Sequence, residues 1–287
     1  MSSRPLRVVP ADAPLGAEVR GVDIAAGLAA ESLSRIKEAW DRHLVLVLRD
    51  QSPDDDALVA FARSLGPLDP PGPNPYGRPF HRRHPELNVI SNIVEDGQPI
   101  GNLGYGEAVW HADMTYVERP PMGAVLMAME VPAQGGDTWF ADMFAAHDAL
   151  PDDLREAAQG RVAIHDASHN SAGMLRKGYV EVDDVRDTPG ARHPLVRTEP
   201  ETGRRCLFLG RRPRSYVVGL EVADSDRLLD RLWAHATRPD LVFVHRWRPG
   251  DVLMWKNLCV LHRRDAFDSQ ARRRLHRAQI RGEEVIA

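Results

Sequence analysis

Apolar positions along this chain come in short bursts whose period changes from segment to segment. Residues 6–24 carry brief apolar stretches broken by Gly16 and Gly21, the pattern of strands joined by turns. Leu33, Ile36 and Trp40 recur at i, i+3 and i+7, placing one apolar stripe on a helix across 31–42. Leu44–Leu48 is apolar at every position and ends at Arg49-Asp50, which predicts a short buried strand. Ser52-Pro53-Asp54-Asp55 predicts a helix start, with a capping hydroxyl at Ser52, proline in the first turn and an acid three residues after the cap. That helix should run to Leu65 and stop at Gly66-Pro67.

Residues 67–85 hold seven prolines and three arginines without periodicity, which predicts a long surface loop of the lid type. Leu87–Asn92 reads as a strand and 95–107 as a second, glycine-rich loop leading to a strand at His111. Met122–Glu130 and Thr138–Phe140 read as further strands, followed by helices at about 142–149 and 152–158. Residues 160–200 are charged, poorly periodic and lid-like. The stripe Leu228, Leu229, Leu232, Trp233 and Ala236 predicts a helix over 224–236, and strands are expected at 241–247, 252–255, 258–262 and 275–281. These elements do not alternate as βαβ units. The expectation is a mainly β, α+β fold, a β-sandwich with appended helices, forming one domain over 1–287.

Composition narrows the function without naming it. The net charge is −4, so neither nucleic acid nor an anionic membrane has an electrostatic claim on the chain. Cys206 and Cys259 sit in apolar strand-like runs and read as reduced core residues, with no Cys-x-x-Cys to suggest redox work. With no apolar leader and no run of 18 apolar residues, a cytoplasmic enzyme is expected.

The chemistry concentrates at Trp110-His111-Ala112-Asp113. On an extended segment, side chains two residues apart share a face, so His111 and Asp113 can bind one ion. His262, closing the apolar run Leu258–Leu261, supplies a distant second imidazole. Two histidines and one carboxylate form the facial triad that suits non-haem Fe(II) and leaves positions open for a cosubstrate and O₂. His-x-Asp alone is weak evidence, and the strand context and His262 strengthen it. Arg273 and Arg277, four apart on a C-terminal strand, share a face; Arg273 can fork the distal carboxylate of a chelating keto-diacid such as 2-oxoglutarate. Arg272 and Arg274 read as a solvated edge.

With these residues in place the chain resembles the taurine/2,4-D dioxygenase-like Fe(II)/2-oxoglutarate enzymes. The likeness runs through Leu15-Gly16-Ala17-Glu18-Val19, Trp110-His111-x-Asp113, Pro120-Pro121, Gly135-Gly136-Asp137-Thr138, Trp255-x-Asn257 and Arg273-x-x-x-Arg277. It implies a jelly-roll (double-stranded β-helix, cupin-like) core. It further implies Fe(II) on His111, Asp113 and His262, and 2-oxoglutarate held by Arg273 and the Thr138 hydroxyl. Arg277 would face the acidic group of the organic substrate, while Trp255 and Asn257 support the site. The implied reaction decarboxylates 2-oxoglutarate to succinate and CO₂ and hydroxylates a substrate carbon, breaking a C–O, C–N or C–S bond where that carbon bears a heteroatom. Because Asp113 is present, hydroxylation is favoured over halogenation.

This chain departs from the family at Lys256, where the family usually has Asp, and where sulfonate-using relatives have His, Tyr and Asn it offers Pro71, Asn74 and Glu107. Taurine is therefore disfavoured. Glu107, Tyr105 and Asn102 are candidates for the substrate pocket, Glu107 either as partner to a cationic group or as a solvated carboxylate, so a small acidic or zwitterionic molecule is expected. Arg211-Arg212 could add positive charge there, with a solvated turn the stronger reading, and among the remaining histidines only His169, in a lid-like segment, is placed to touch substrate. A homo-oligomer follows by analogy with relatives. The alternatives are a zinc hydrolase, which has no use for the Thr138/Arg273 clamp, and a catalytically silent binding member of the same fold.

Overall fold

The computed structural model describes residues 5–74, 76–283 and 285–286. In chain order its principal elements are β1 (Arg7–Pro10), β2 (Ala17–Arg20), α1 (Ala30–His43), β3 (Val45–Leu48), α2 (Asp55–Leu65), β4 (Leu87–Ser91), β5 (Ala108–His111), β6 (Gly123–Glu130) and β7 (Thr138–Asp142). There follow α3 (Met143–Asp148), α4 (Asp152–Ala158), α5 (Val222–Ala236), β8 (Val242–His245), β9 (Val252–Lys256), β10 (Val260–Arg264) and β11 (Arg274–Ile280).

Two sheets carry the site. The larger runs β1-β2-β3-β9-β6-β11-β4, with Asn102–Leu103 beyond β4, and the smaller runs β8-β7-β10-β5. Neighbours in both are antiparallel except β2 with β3 and β4 with Asn102–Leu103. The larger sheet is buried on both faces, which is why its strands are apolar at successive positions. Val45, Val47, Ala124, Leu126, Trp255 and Leu275 point into the space shared with the smaller sheet, among Phe140 and Val260. Leu46, Leu48, Val125, Met127, Met254, Ala278 and Ile280 point the other way, under Ile36 and Trp40 of α1 and Leu58 and Val59 of α2. This is the jelly-roll core, mainly β with a few flanking helices. Among the described residues no helix is long and apolar enough to cross a membrane.

Two local expectations shift. The α2 cap is Asp54 rather than Ser52, its carboxylate accepting from the Ala57 amide at 2.8 Å; a charged acceptor at the positive end of a helix outcompetes a hydroxyl two residues earlier. Residues 160–200 are more than a lid: Val162–Ile164 pairs with Arg192–Pro194 and with Tyr216–Val217, and the run 163–171 is buried. The proline-rich segment 67–85 does lack regular structure beyond Leu68–Asp69, and His81 and His84 tie it to Asp55 and Asp56 of α2 at 2.9 and 2.7 Å. Cys206 and Cys259 are free and buried, as expected, beside the buried Arg197.

Candidate metal centre

β10 lies between β7 and β5, and its register builds the site in rows. His262 stands opposite Phe140 on one side and His111 on the other; one step along, Arg264 stands opposite Thr138 and Ala108. His262 packs against Trp255, with ring centroids 5.0 Å apart, and lies 4.1 Å from the His111 ring.

Asp113 reaches the two imidazoles by a different route from the one the spacing suggests. The strand ends at His111, and Asp113 sits in the turn that follows, where Met114 has φ +52°. Asn257 holds that turn. Its Oδ1 accepts from the Asp113 amide at 2.7 Å, and its Nδ2 donates to the carbonyls of Asp113 and Pro121, both at 2.9 Å. The extended strand through 113 is thus corrected to a strand end plus an asparagine-clamped turn.

The ligand atoms of His111, Asp113 and His262 all lie within 4.8 Å of one another. His111 Nε2 is 3.7 Å from Asp113 Oδ1, and His262 Nε2 is 3.9 Å from Oδ2. Ligands on bonds of about 2.1 Å sit roughly 3 Å apart when adjacent in an octahedron, so a small inward movement closes the set on one ion. The tautomer also fits. His111 Nδ1 lies 2.8 Å from the Val109 carbonyl, so it donates there and Nε2, which faces Asp113, is the nitrogen left to ligate a metal.

Arg277 supplies positive charge to the same carboxylate: its Nη1 is 2.8 Å from both oxygens of Asp113. Burial opposes ionisation of Asp113, but the Arg277 guanidinium leads the interactions that outweigh it and hold the carboxyl far below its ordinary range. His262 is pushed well below its ordinary value by burial and then by His111, which keeps it neutral, as a ligand must be.

Beside the triad is a recess enclosing about 460 Å³, lined by Leu103, Thr138, Trp255, His262, Arg264, Arg273 and Arg277 among others. Arg264 and Arg273 are buried there, and no carboxylate among the described residues acts on either. Burial lowers Arg264 to about 10, and burial followed by Arg264 itself lowers Arg273. The Arg273 Nε has no hydrogen-bond partner among the described residues. Thr138 Oγ1 accepts from Trp247 Nε1 at 2.9 Å, so its own proton is free to be donated into the recess. A buried pocket with unpaired guanidinium groups and a free hydroxyl donor fits a small carboxylate dianion.

Comparison with known proteins fits this geometry. The profile of the Taurine catabolism dioxygenase TauD, TfdA family matches residues 4–279. The chain belongs to the TauD/TfdA dioxygenase family. It is 37% identical over 278 residues to the alpha-ketoglutarate-dependent 2,4-dichlorophenoxyacetate dioxygenase of Cupriavidus pinatubonensis, covering 94% of this chain and 96% of that one. It is 36% identical to the (S)-phenoxypropionate/alpha-ketoglutarate-dioxygenase of Sphingobium herbicidovorans, covering 96% and 95%. The crystal structure of AAD-2 in complex with Mn(II) and N-oxalylglycine superposes with a TM-score of 0.80 at 28% identity, covering 99% of this chain and all 100% of that chain.

In this TauD/TfdA member a second pocket reaches His111 and Asp113 and is lined in part by Asn74, Asn88, Asn102, Tyr116, His169, Arg211 and Arg277. Of the sequence candidates, Asn102 is in this wall, its Nδ2 donating to Asn88 Oδ1 at 3.2 Å, and Asn74 and His169 line it too. Tyr105 and Glu107 do not line it. Both are exposed, and Glu107 instead approaches Arg263 at 3.7 Å. Arg277 was expected to face substrate; its side chain is on Asp113 as well as in the pocket lining.

Arg211 corrects the solvated-turn expectation. It bridges His111 in backbone pairing, is buried, and is ion-paired with Asp166, which also bonds Ser168 and His169. Arg212 alone faces solvent acids, Asp226 and Asp230. Lys256, the family departure, pairs with Asp41 and lies 4.7 Å over the Trp40 ring. Arg264 and Asn88 were missed. Arg264 carried a legible signal, since it follows His262 by two on a strand and so shares its face.

Proposed function

We propose that this chain is an iron(II)- and 2-oxoglutarate-dependent dioxygenase that hydroxylates a small organic acid with release of succinate and CO₂. The observation that supports this conclusion is the meeting, in one buried space, of two imidazoles, an ionised carboxylate and a recess in which Arg264 and Arg273 have no acidic partner among the described residues. His111, Asp113 and His262 would hold the metal, and Arg273 with the Thr138 hydroxyl would hold the distal carboxylate of 2-oxoglutarate. Iron bound there supplies the O₂ activation that couples oxidation of the keto acid to oxidation of the substrate. Residues 1–287 act as one catalytic unit in this proposal, supported by the family match over 4–279.

The chain's own residues orient the reactants. Arg277 fixes the Asp113 carboxylate from one side and faces the substrate pocket from the other. The Arg211–Asp166–His169 network gives that pocket a rigid polar wall. The relatives named for 2,4-dichlorophenoxyacetate and (S)-phenoxypropionate support a carboxylate as the anionic group, and Glu107, turned away to Arg263, gives no support to a zwitterion. Where the oxidised carbon bears an ether oxygen, hydroxylation breaks the C–O bond.

Succinate release, measured across 2,4-dichlorophenoxyacetate, (S)-phenoxypropionates, alkyl carboxylates, amino acids and taurine, tests this. At least one carboxylate should raise it well above the substrate-free rate, and Arg277→Ala should raise the KM for every active acid. No stimulation by any acid, or KM values unmoved in Arg277→Ala, would contradict the proposed substrate class.

A further inference from the structure

The wall of the cosubstrate recess is also the support of a loop belonging to the substrate pocket. Arg264 Nη2 donates to the Leu103 carbonyl at 2.9 Å and to the Gly106 carbonyl. Three residues on, the Phe267 amide donates to the Tyr105 carbonyl at 3.2 Å. Three carbonyls of the 102–107 loop therefore hang from the segment 264–267. The loop needs holding: Leu103 and Gly104 have φ of +70° and +43°, and a left-handed conformation is strained at leucine. The same loop places Asn102 and Leu103 in the substrate pocket, and Leu103 in the recess as well.

The other end of this support faces the cosubstrate. Two buried guanidinium groups share the Phe267 ring, that of Arg264 at 5.5 Å and that of Arg273 at 5.7 Å from its centroid. Among the described residues the Arg264 Nε has no hydrogen-bond partner. An anion held by Arg273 would offset part of the positive charge crowded there, beside an Arg264 fork whose N–H groups hold the loop.

We propose that Arg264 is a positioning residue that makes the conformation of the 102–107 loop, and with it the substrate pocket, depend on occupancy of the cosubstrate recess. This rests on the 2-oxoglutarate assignment above. Because coupling between two sites is reciprocal, cosubstrate and substrate each raise the other's affinity by one shared factor, of about 5- to 150-fold for couplings of the usual size.

The test is amide hydrogen exchange of residues 103–107 in the oxygen-free, Mn(II)-loaded protein, with and without saturating 2-oxoglutarate, alongside calorimetric titration of 2-oxoglutarate. In the wild type, 2-oxoglutarate should slow exchange of these amides about tenfold or more. Arg264→Gln should still bind 2-oxoglutarate through Arg273 and Thr138, more weakly, yet at saturation slow the loop less than twofold. Arg264→Lys keeps the charge but reaches one carbonyl rather than two; it should give intermediate slowing, and it serves if the Gln variant does not fold. Wild-type slowing in either variant overturns the coupling, as does wild-type protein that binds 2-oxoglutarate without slowing the loop. A wild type that binds no 2-oxoglutarate overturns the proposed function and the coupling with it.

Discussion

Replacing Asn257 by alanine should damage both the fold and the metal centre, because one buried side chain closes the turn that carries Asp113. Asn257 is fully buried and makes three hydrogen bonds, of 2.7, 2.9 and 2.9 Å, to the Asp113 amide and to the carbonyls of Asp113 and Pro121. Alanine removes all three and strands three backbone groups away from water. At about 1 kcal/mol per bond, with a further penalty for buried groups left unmade, the loss comes to about 3–5 kcal/mol. For a chain of this size that lowers Tm by roughly 5–8 °C. Asp113 would also lose its fixed presentation, and loss of such a support typically costs 10–100-fold in metal affinity. Asn257→Asp separates the contributions: it can still accept from the Asp113 amide but cannot donate to either carbonyl, and it places a second negative charge beside Asp113. Urea denaturation and an Mn(II) titration of each variant supply the two readouts. An Asn257→Ala protein within 0.5 kcal/mol of wild type, with unchanged Mn(II) affinity, would refute the claim that this asparagine positions the ligand.

Thr138→Val removes the hydroxyl facing the recess and leaves Trp247 Nε1 without its acceptor; 2-oxoglutarate affinity should fall about tenfold and recover in Thr138→Ser, measured by equilibrium titration. Burial, reinforced by His193, holds His165 down at about 3. The unfolded chain takes up that proton near pH 6.5 while the folded chain does not, so this residue leaves stability unchanged above about 6.5 and erodes it as pH falls from there toward 3, by on the order of 4 kcal/mol. Stability curves of His165→Leu should therefore be flatter in that window than those of the wild type. Gly123→Ala sets a methyl group 2.4 Å from the Trp40 ring, which is buried and cannot yield; denaturant unfolding should show a loss of about 1–3 kcal/mol.

Much of this was legible in the residues. The run 45–48, apolar at successive positions, announced a strand covered on both faces, and the stripes at 33–40 and 228–236 became α1 and α5. The ligand set was legible because His-x-Asp, a distant His at a strand end and a paired Arg motif are separated by fixed elements. What misled was local geometry overriding period. Period-2 alternation was right about convergence at His111 and Asp113 but wrong about how, since the clamp that turns the chain comes from Asn257, 144 positions away. Arg211 looked like a solvated turn because its partner, Asp166, lies 45 residues distant in a segment without periodicity. Glu107 and Tyr105 were placed by spacing from His111, yet Arg263 draws Glu107 off the pocket and Phe267 holds the backbone at Tyr105. Pairings of this kind are tertiary and leave no mark in the neighbouring residues.

The central claim is that one metal ion and one keto-diacid share the space between His111, Asp113, His262 and Arg273. Its most direct test is anaerobic addition of 2-oxoglutarate to the Fe(II)-loaded protein, followed by visible absorption. The account requires a weak charge-transfer band that saturates at one equivalent, is lost in His262→Ala and in Asp113→Ala, and needs far more 2-oxoglutarate in Arg273→Gln. Absence of the band in the wild type, or its persistence in His262→Ala, would contradict it.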